Sequence, residues 1–254
     1  MKFTFFGTGT SQGVPVIGCD CAVCTSPDPH DRRLRVSGLL EVGGLNLVFD
    51  CGPDFRRQML RAGCSKVDAV LLTHEHNDHV IGLDDVRPLN FLHGKDMPVY
   101  ALPRVAREVK ARFSYVFAEK KYPGAPMLTL ETVDSNTPFF VQDVEIIPIN
   151  ILHGNLPIIG YRIGNFAYLT DVKTIPESEF SKLENLDVLV LSALHHTEHH
   201  SHLTIEQAVE TARRIDAGLT YFTHFSHRAG LHREIEKPLP ENMHPAYDGL
   251  TVEL

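Results

Sequence analysis

The apolar positions of this chain fall into short runs, most of them too short for a helix and bounded by glycine, proline or charged residues. Lys2-Phe3-Thr4-Phe5-Phe6 stops at Gly7 and reads as a first strand. Leu39 to Val42 and Leu45 to Phe49, joined by Gly43-Gly44, read as a β-hairpin that ends at Asp50. Val67 to Thr73 is partly β-branched and flanked by polar residues, so a buried strand is expected there. Met97 to Leu102 is another strand, and Pro103 opens a helix, since proline suits the first turn. The second half repeats the scheme. Strands are expected at Asp143–Ile151, Pro157–Ile163, Asn165–Leu169, Leu186–Leu191 and Leu219–Phe222. Helical signals are fewer: Asp54 to Leu60, Val86 to Leu92, and a segment opened by the capping box Thr204-Ile205-Glu206-Gln207. In that last segment Ile205, Ala208, Val209, Ala212 and Ile215 share one face. Residues 114–137 mix aromatics and prolines and read as a loop region over a site or a partner surface. The pattern predicts a single α/β domain over residues 1–254, built as two mixed sheets packed face to face with helices outside.

The residues just past the strands carry the chemistry. The run Val67–Thr73 leads into His74-Glu75-His76-Asn77-Asp78-His79, which places four potential metal ligands within six residues. On a tight turn, His74 and His76 can face one ion while Asp78 and His79 face another, the layout of a two-metal hydrolase. Three further strands also end in ligand types, at His153, Asp171 and His224. A lone histidine after a strand is usually a core or capping residue. Four strand ends converging on one residue class call for a metal site. Asp50 ends a strand as well, and reads equally as a brace for the His-rich turn or as a cap for the following helix.

The long loop from Thr10 to Arg35 needs a staple. Cys19-x-Cys21-x-x-Cys24 offers three thiolates, one short of a tetrahedral zinc site. The chain has five cysteines, an odd number, which argues against a disulfide framework and for a reducing cytoplasm. Cys51 and Cys64 read as small core residues. With 43% hydrophobic residues the chain can bury a sizeable core. Its net charge of −8 predicts no general attraction to nucleic acid or anionic membrane, while metal ions would leave room for a small anionic substrate. No run approaches a transmembrane span, and the first residues are too short and glycine-interrupted for a signal peptide.

His-x-His-x-Asp-His after a strand resembles the metallo-β-lactamase superfamily of αββα hydrolases, over nearly the whole chain. The resemblance implies that His74, His76 and His153 hold one metal. Asp78, His79 and His224 hold a second, and Asp171 bridges the two. It makes Asp50 the brace of the loop. Aspartate rather than cysteine at the bridging place fits phosphodiesterases and thiolester hydrolases better than lactamases. The three cysteines, together with His227 in Thr223-His224-Phe225-Ser226-His227, resemble the phosphoribosyl cyclic phosphate phosphodiesterases of carbon–phosphorus lyase pathways. That likeness implies a structural zinc on Cys19, Cys21, Cys24 and His227, and a homodimer. Two zinc or manganese ions would occupy the active site, since all seven donors are nitrogen or oxygen. The expected reaction is hydrolysis of a small cyclic or nucleotide-like phosphodiester by metal-activated hydroxide. Asp78 and His202 are the catalytic candidates. His202, in His202-Leu203-Thr204, matches the general acid of related phosphodiesterases, with His200 as its competitor in a stretch whose other histidines read as solvated. The alternatives are a tRNA 3′-processing endonuclease, a hydrolase of another small ester or thiolester, or a metal-binding scaffold. Only 17 residues lie between His153 and Asp171, too few for the arm that tRNA-processing enzymes insert there.

Overall fold

The computed structural model describes residues 1–254. Lys2–Gly7 (β1), Ser37–Val42 (β2) and Leu45–Phe49 (β3) form an antiparallel meander. Phe55–Ala62 (α1) crosses to Ala69–Leu71 (β4), which pairs parallel to β3. The His-rich turn contains a single helical turn, Asn77–Val80 (α2), and leads through a 3-10 segment to Arg87–His93 (α3). Met97–Ala101 (β5), Pro103–Arg112 (α4) and Leu128–Thr132 (β6) complete this half. In the second half, Phe139–Val141 (β7), Val144–His153 (β8), Leu156–Ile163 (β9) and Phe166–Leu169 (β10) run antiparallel. Val188–Ser192 (β11), Ile205–Ile215 (α5), Leu219–Thr223 (β12), His232–Glu236 (α6) and Met243–Pro245 (β13) then alternate. Thr251–Glu253 (β14) returns to pair with β1. The result is two mixed seven-stranded sheets, ordered β14-β1-β2-β3-β4-β5-β6 and β13-β12-β11-β10-β9-β8-β7.

Three apolar layers hold the sandwich together. Between the sheets lies an aromatic core in which Phe3 from one sheet meets Phe166 from the other at 4.8 Å and Phe49 stacks on Tyr168 at 4.7 Å. Such pairs add to the burial term that drives the packing. Outside the first sheet, Phe55 and Met59 of α1 and Val105 and Val109 of α4 cover Val48, Val70 and Val99. Outside the second, Ile205, Ala208, Ala212 and Ile215 of α5 cover Leu189, Leu191 and Phe222. Sheets buried on both faces need near-continuous apolar strands, and β11, Val-Leu-Val-Leu-Ser, is buried at every position.

The strands read from the pattern are present with adjusted ends. The strand expected over Val67–Thr73 is regular only at Ala69–Leu71. At its far end the Thr73 N–H leaves the ladder to bond the Asp50 carboxylate at 2.9 Å, which turns the chain into the His-rich loop. Residues 114–137 are not wholly loop, because β6 lies within them, parallel to β5. Cys64 is half-buried rather than core, with its thiol donating to the Lys66 carbonyl at 3.2 Å. Cys51 is fully buried. No helix is long and apolar enough to cross a membrane.

Candidate metal centre

The C-terminal ends of β3, β4, β8, β10 and β12 reach one edge of the sandwich, and each delivers a polar side chain there. Asp50 follows β3, His74 follows β4, His153 ends β8, Asp171 follows β10 and His224 follows β12. Asp50, Asp171 and His224 all adopt left-handed backbone angles, with φ of 57°, 57° and 64°. That conformation breaks the strand abruptly. Asparagine and aspartate tolerate it better than most residues, and histidine is also enriched there.

These donors converge in overlapping groups. His74, His76 and His153 offer nitrogens within 4.8 Å of one another, as do the donors of Asp78, His79 and His224. Asp171 joins His74 and His79 in a third group, one residue from each triad. His74 Nε2 lies 2.9 Å from His76 Nδ1. His79 Nε2 lies 3.3 Å from Asp78 and 3.4 Å from Asp171, and His224 Nε2 lies 3.2 Å from Asp171. His79 Nε2 and both ring nitrogens of His224 are buried with no hydrogen-bond partner. Buried polar atoms are rarely left unpaired, and lone pairs aimed at a common point fit a cation.

Electrostatics agree. Burial disfavours a charged His79, yet Asp78, Asp50 and Asp171 together hold its pKa well above the usual imidazole range. Burial raises Asp171, but His224, His79 and His74 outweigh it and hold the carboxylate well below its ordinary value. Asp78 is brought down to about 2 against burial, chiefly by His79. His74 is pushed the other way, well below its ordinary value, mainly by burial. Three carboxylates, Asp50, Asp78 and Asp171, thus face a cluster in which burial disfavours charge on His74 and His224.

The opposite faces of the ligands are tied back. His79 Nδ1 bonds Asp50 at 2.7 Å, and Thr73 Oγ1 donates to the same carboxylate at 3.0 Å while lying 2.9 Å from His74 Nδ1. Asp50 is therefore a brace of the loop and not a helix cap. The residue at the start of α1, Asp54, makes no cap bond either and pairs with Arg35 instead. His153 Nδ1 bonds the Ser201 carbonyl at 2.9 Å. Fixing one ring nitrogen aims the other inward. Gly52 permits the close approach, since a Cβ there would lie 2.0 Å from the Asp78 carbonyl oxygen.

His202 is already within the site. It is 8% exposed, between the rings of His153 (4.6 Å) and His224 (5.0 Å), with Nδ1 3.8 Å from Asp171. Burial depresses its pKa to about 2, against the pull of Asp171. His200 is exposed on the rim. His195, expected to be solvated, is buried and bonds Ser226 Oγ at 3.0 Å. Sequence reasoning passed over Ser201, Thr73 and the pair formed by Arg104 and Arg112. Arg104 pairs with the Glu75 carboxylate and Arg112 donates to the Glu75 carbonyl, placing two guanidinium groups beside the metal loop. Thr73 and Glu75 adjoin motif histidines, which was the available signal; nothing local marked the arginines.

A second cluster lies at the long loop. His227 Nδ1 is 3.2, 3.5 and 3.6 Å from the sulfurs of Cys19, Cys21 and Cys24. A tetrahedron with Zn–S near 2.3 Å and Zn–N near 2.0 Å has S···N edges of about 3.6 Å. The sulfurs are unequal: the Cys24 backbone N–H draws Cys21 down to about 6, and burial pushes Cys24 up to about 11. Four soft-to-borderline donors at tetrahedral spacing fit zinc.

Residues 45–225 match the beta-lactamase superfamily domain. The chain belongs to the metallo-β-lactamase superfamily. A solved diphosphatase of the PhnP family superposes with a TM-score of 0.92 and 42% identity, covering 100% of this chain and 97% of that one. Zinc-bound PqqB from Methylobacterium extorquens shares the fold, with a TM-score of 0.81 at 19% identity over both full chains. An octanoyltransferase of Porphyromonas gingivalis is 45% identical over 252 residues, 98% of this chain and 51% of the relative. A ribonuclease Z of Methanopyrus kandleri is 30% identical over 138 residues, 53% of this chain and 46% of the relative. The chain thus spans about half the length of the curated relatives it matches.

Proposed function

We propose that this protein is a metal-dependent hydrolase, a dinuclear phosphodiesterase acting on a small, anionic phosphodiester. The observation that carries the reading is Asp171, a single buried carboxylate that groups with His74 of one donor triad and His79 of the other. In this assignment His74, His76 and His153 hold one ion, Asp78, His79 and His224 the other, and Asp171 lies between them. Zinc or manganese would suit the nitrogen and oxygen donors, and a separate zinc would sit on Cys19, Cys21, Cys24 and His227. When bound, the active-site pair supplies Lewis acidity and lowers the pKa of water.

The residues of the chain do the rest. Asp50 holds His79 in one tautomer, and the Ser201 carbonyl does the same for His153. Arg104 and Arg112 hold Glu75, and with it the loop between His74 and His76, in place. His202 delivers a proton to the leaving oxygen. Its burial keeps it neutral in the free site, and an arriving phosphodiester supplies the negative charge that favours the imidazolium. His153, Asp171 and His202 also lie close enough to share a metal, and leaving-group dependence separates a proton donor from a ligand.

The diphosphatase of the PhnP family supports phosphate chemistry. Processing of tRNA fits less well, because β9 and β10 fill the stretch between His153 and Asp171 and leave no inserted arm. The octanoyltransferase name describes a relative about twice as long as the match. Acyl transfer would also want a side-chain nucleophile, and the converging donors are histidines and aspartates. The partners that fit this reading are a small phosphodiester and a second copy of the chain, with no nucleic acid. Metal analysis with hydrolysis of bis(p-nitrophenyl) phosphate tests the reading. Asp171→Ala should lose at least a hundredfold in kcat/KM while staying folded, since metal sites supply several kcal/mol of transition-state stabilisation. Turnover in that variant near the parent's would overturn the two-metal assignment.

A further inference from the structure

The segment that carries His202, residues 195–202, contains no helix or strand. Its first residues are fastened by His195, which bonds Ser226 Oγ and whose carbonyl accepts the Ile205 N–H, and by the pair His196–Glu206; nearer His202 the side-chain contact is made by Lys173. Lys173 lies two residues past Asp171, on the turn that leaves β10. Its ammonium donates to the His202 carbonyl at 3.3 Å and pairs with the Glu198 carboxylate. The other oxygen of Glu198 accepts from Gln207 Nε2 at 2.8 Å. Gln207 is the capping-box residue of α5, and its Oε1 accepts the Thr204 N–H at 3.1 Å. Backbone bonds from Leu203 to Val172 and Leu194 fix the chain after His202, while the His202 carbonyl and the Thr204 cap both connect to Glu198.

We infer that Lys173, anchored by Glu198, is a positioning residue that holds His202 against Asp171. The inference rests on the reading of His202 as the proton donor. An ammonium has three donors, so one Lys173 can serve the carbonyl and the carboxylate at once. The Lys173 side chain is 21% exposed and Glu198 is 65% exposed, so the ion pair is solvent-screened and the positioning rests on the geometry of the bond to the His202 carbonyl. Methionine at this position would fill similar space with no donor. Arginine would keep both contacts within reach. Small misplacements of a proton donor are costly, because catalysis depends on near-attack geometry.

A direct role for Lys173 on the substrate phosphate makes a different forecast. It would raise KM for every diester alike. Positioning of the acid acts on kcat, and only in proportion to the basicity of the leaving group.

The test uses the metal-loaded full chain with methyl phenyl phosphate and methyl p-nitrophenyl phosphate, which differ in leaving-group basicity. His202→Ala should lose much more on the phenyl ester. Lys173→Met should follow the same pattern, with kcat on the phenyl ester falling about tenfold, a fraction of what general acid catalysis supplies. Its loss on the nitrophenyl ester should be clearly smaller, and its KM should hold. Lys173→Arg should recover most of the difference, and Glu198→Ala should shift in the same direction as Lys173→Met. Amide hydrogen exchange of residues 198–203, read without turnover, should speed up in Lys173→Met. A selective loss in His202→Ala with equal losses on both esters in Lys173→Met overturns the positioning role alone. A rise in KM on both esters, or unchanged exchange, does the same. Equal losses in His202→Ala remove the proton donor and the inference with it.

Discussion

Asp50 makes no contact with any substrate-facing surface, yet four bonds meet on it. Its carboxylate takes the Thr73 N–H, the Thr73 hydroxyl on both oxygens, and His79 Nδ1. It is fully buried, and burial raises its pKa while His79 opposes that rise. An anion at this depth persists only with charge-assisted partners. Its left-handed backbone costs on the order of 1–2 kcal/mol, which those bonds offset. Asp50→Asn keeps the shape and removes the charge, so His79 loses the group that fixes its tautomer. We expect metal affinity to fall about ten- to a hundredfold, as for other partners behind a ligand. Competition against a calibrated chelator measures it. Parent-like affinity in Asp50→Asn would mean that the loop holds His79 without help.

At the scale of elements, the metal loop is set by how closely α2 approaches the turn after β3. Gly52 meets the Asp78 carbonyl, and Gly82 meets the Gly52 carbonyl, each at 2.0 Å from where a Cβ would stand. Backbone faces backbone at both points, so no side chain can yield. Gly52→Ala must push Asp78 and His79 away from Asp171. A destabilisation of roughly 2–3 kcal/mol is expected from such forced displacement, with one metal lost preferentially. Thermal melting and metal stoichiometry together check this, and an unchanged stoichiometry would argue against it. Elements of this kind were unevenly legible. The central strands announced themselves, because a strand covered on both faces is apolar nearly throughout, as in Val188–Leu191. The four strands that the pattern does not announce, β6, β7, β13 and β14, are the four sheet edges. Leu-Thr-Leu-Glu-Thr in β6 buries only its first residue. Polar residues on that edge erase the periodic signal, and β7, β13 and β14, three residues each, are too short to show a period. Ligands were readable because each closes an apolar run. Lys173, Ser201 and Arg104 were not, because their roles exist only across contacts distant in sequence.

Across the whole molecule, the N-terminal loop links both sheets to the site, and two separate devices hold it. One is the cluster of Cys19, Cys21 and Cys24 around His227, three residues past His224. The other is a buried polar network that composition alone did not reveal. The Arg33 guanidinium lies over the Phe225 ring and donates to Thr8 Oγ1 at 2.8 Å and to the Ala246 carbonyl at 2.6 Å. Asp31 accepts the Ser26 hydroxyl and the His232 N–H, each at 2.6 Å. Asp248 accepts the N–H groups of Thr8 and Leu34 at 2.9 and 2.8 Å. The network fixes residues 31–35 to the C-terminal segment without any cysteine. Residues 16–25 have the sulfur cluster as their main attachment. A zinc bound there contributes folding free energy directly. Cys21→Ser should therefore reduce zinc content by about one equivalent, the stoichiometry of one tetrahedral site, and lower the melting temperature without unfolding the chain. Amide exchange should rise in residues 16–25 and around His227, while residues 31–35 keep their protection. Exchange rising through Arg33 and Asp248 as well would make the metal the sole support of the loop. Unchanged zinc content with unchanged melting would remove the zinc from these four residues.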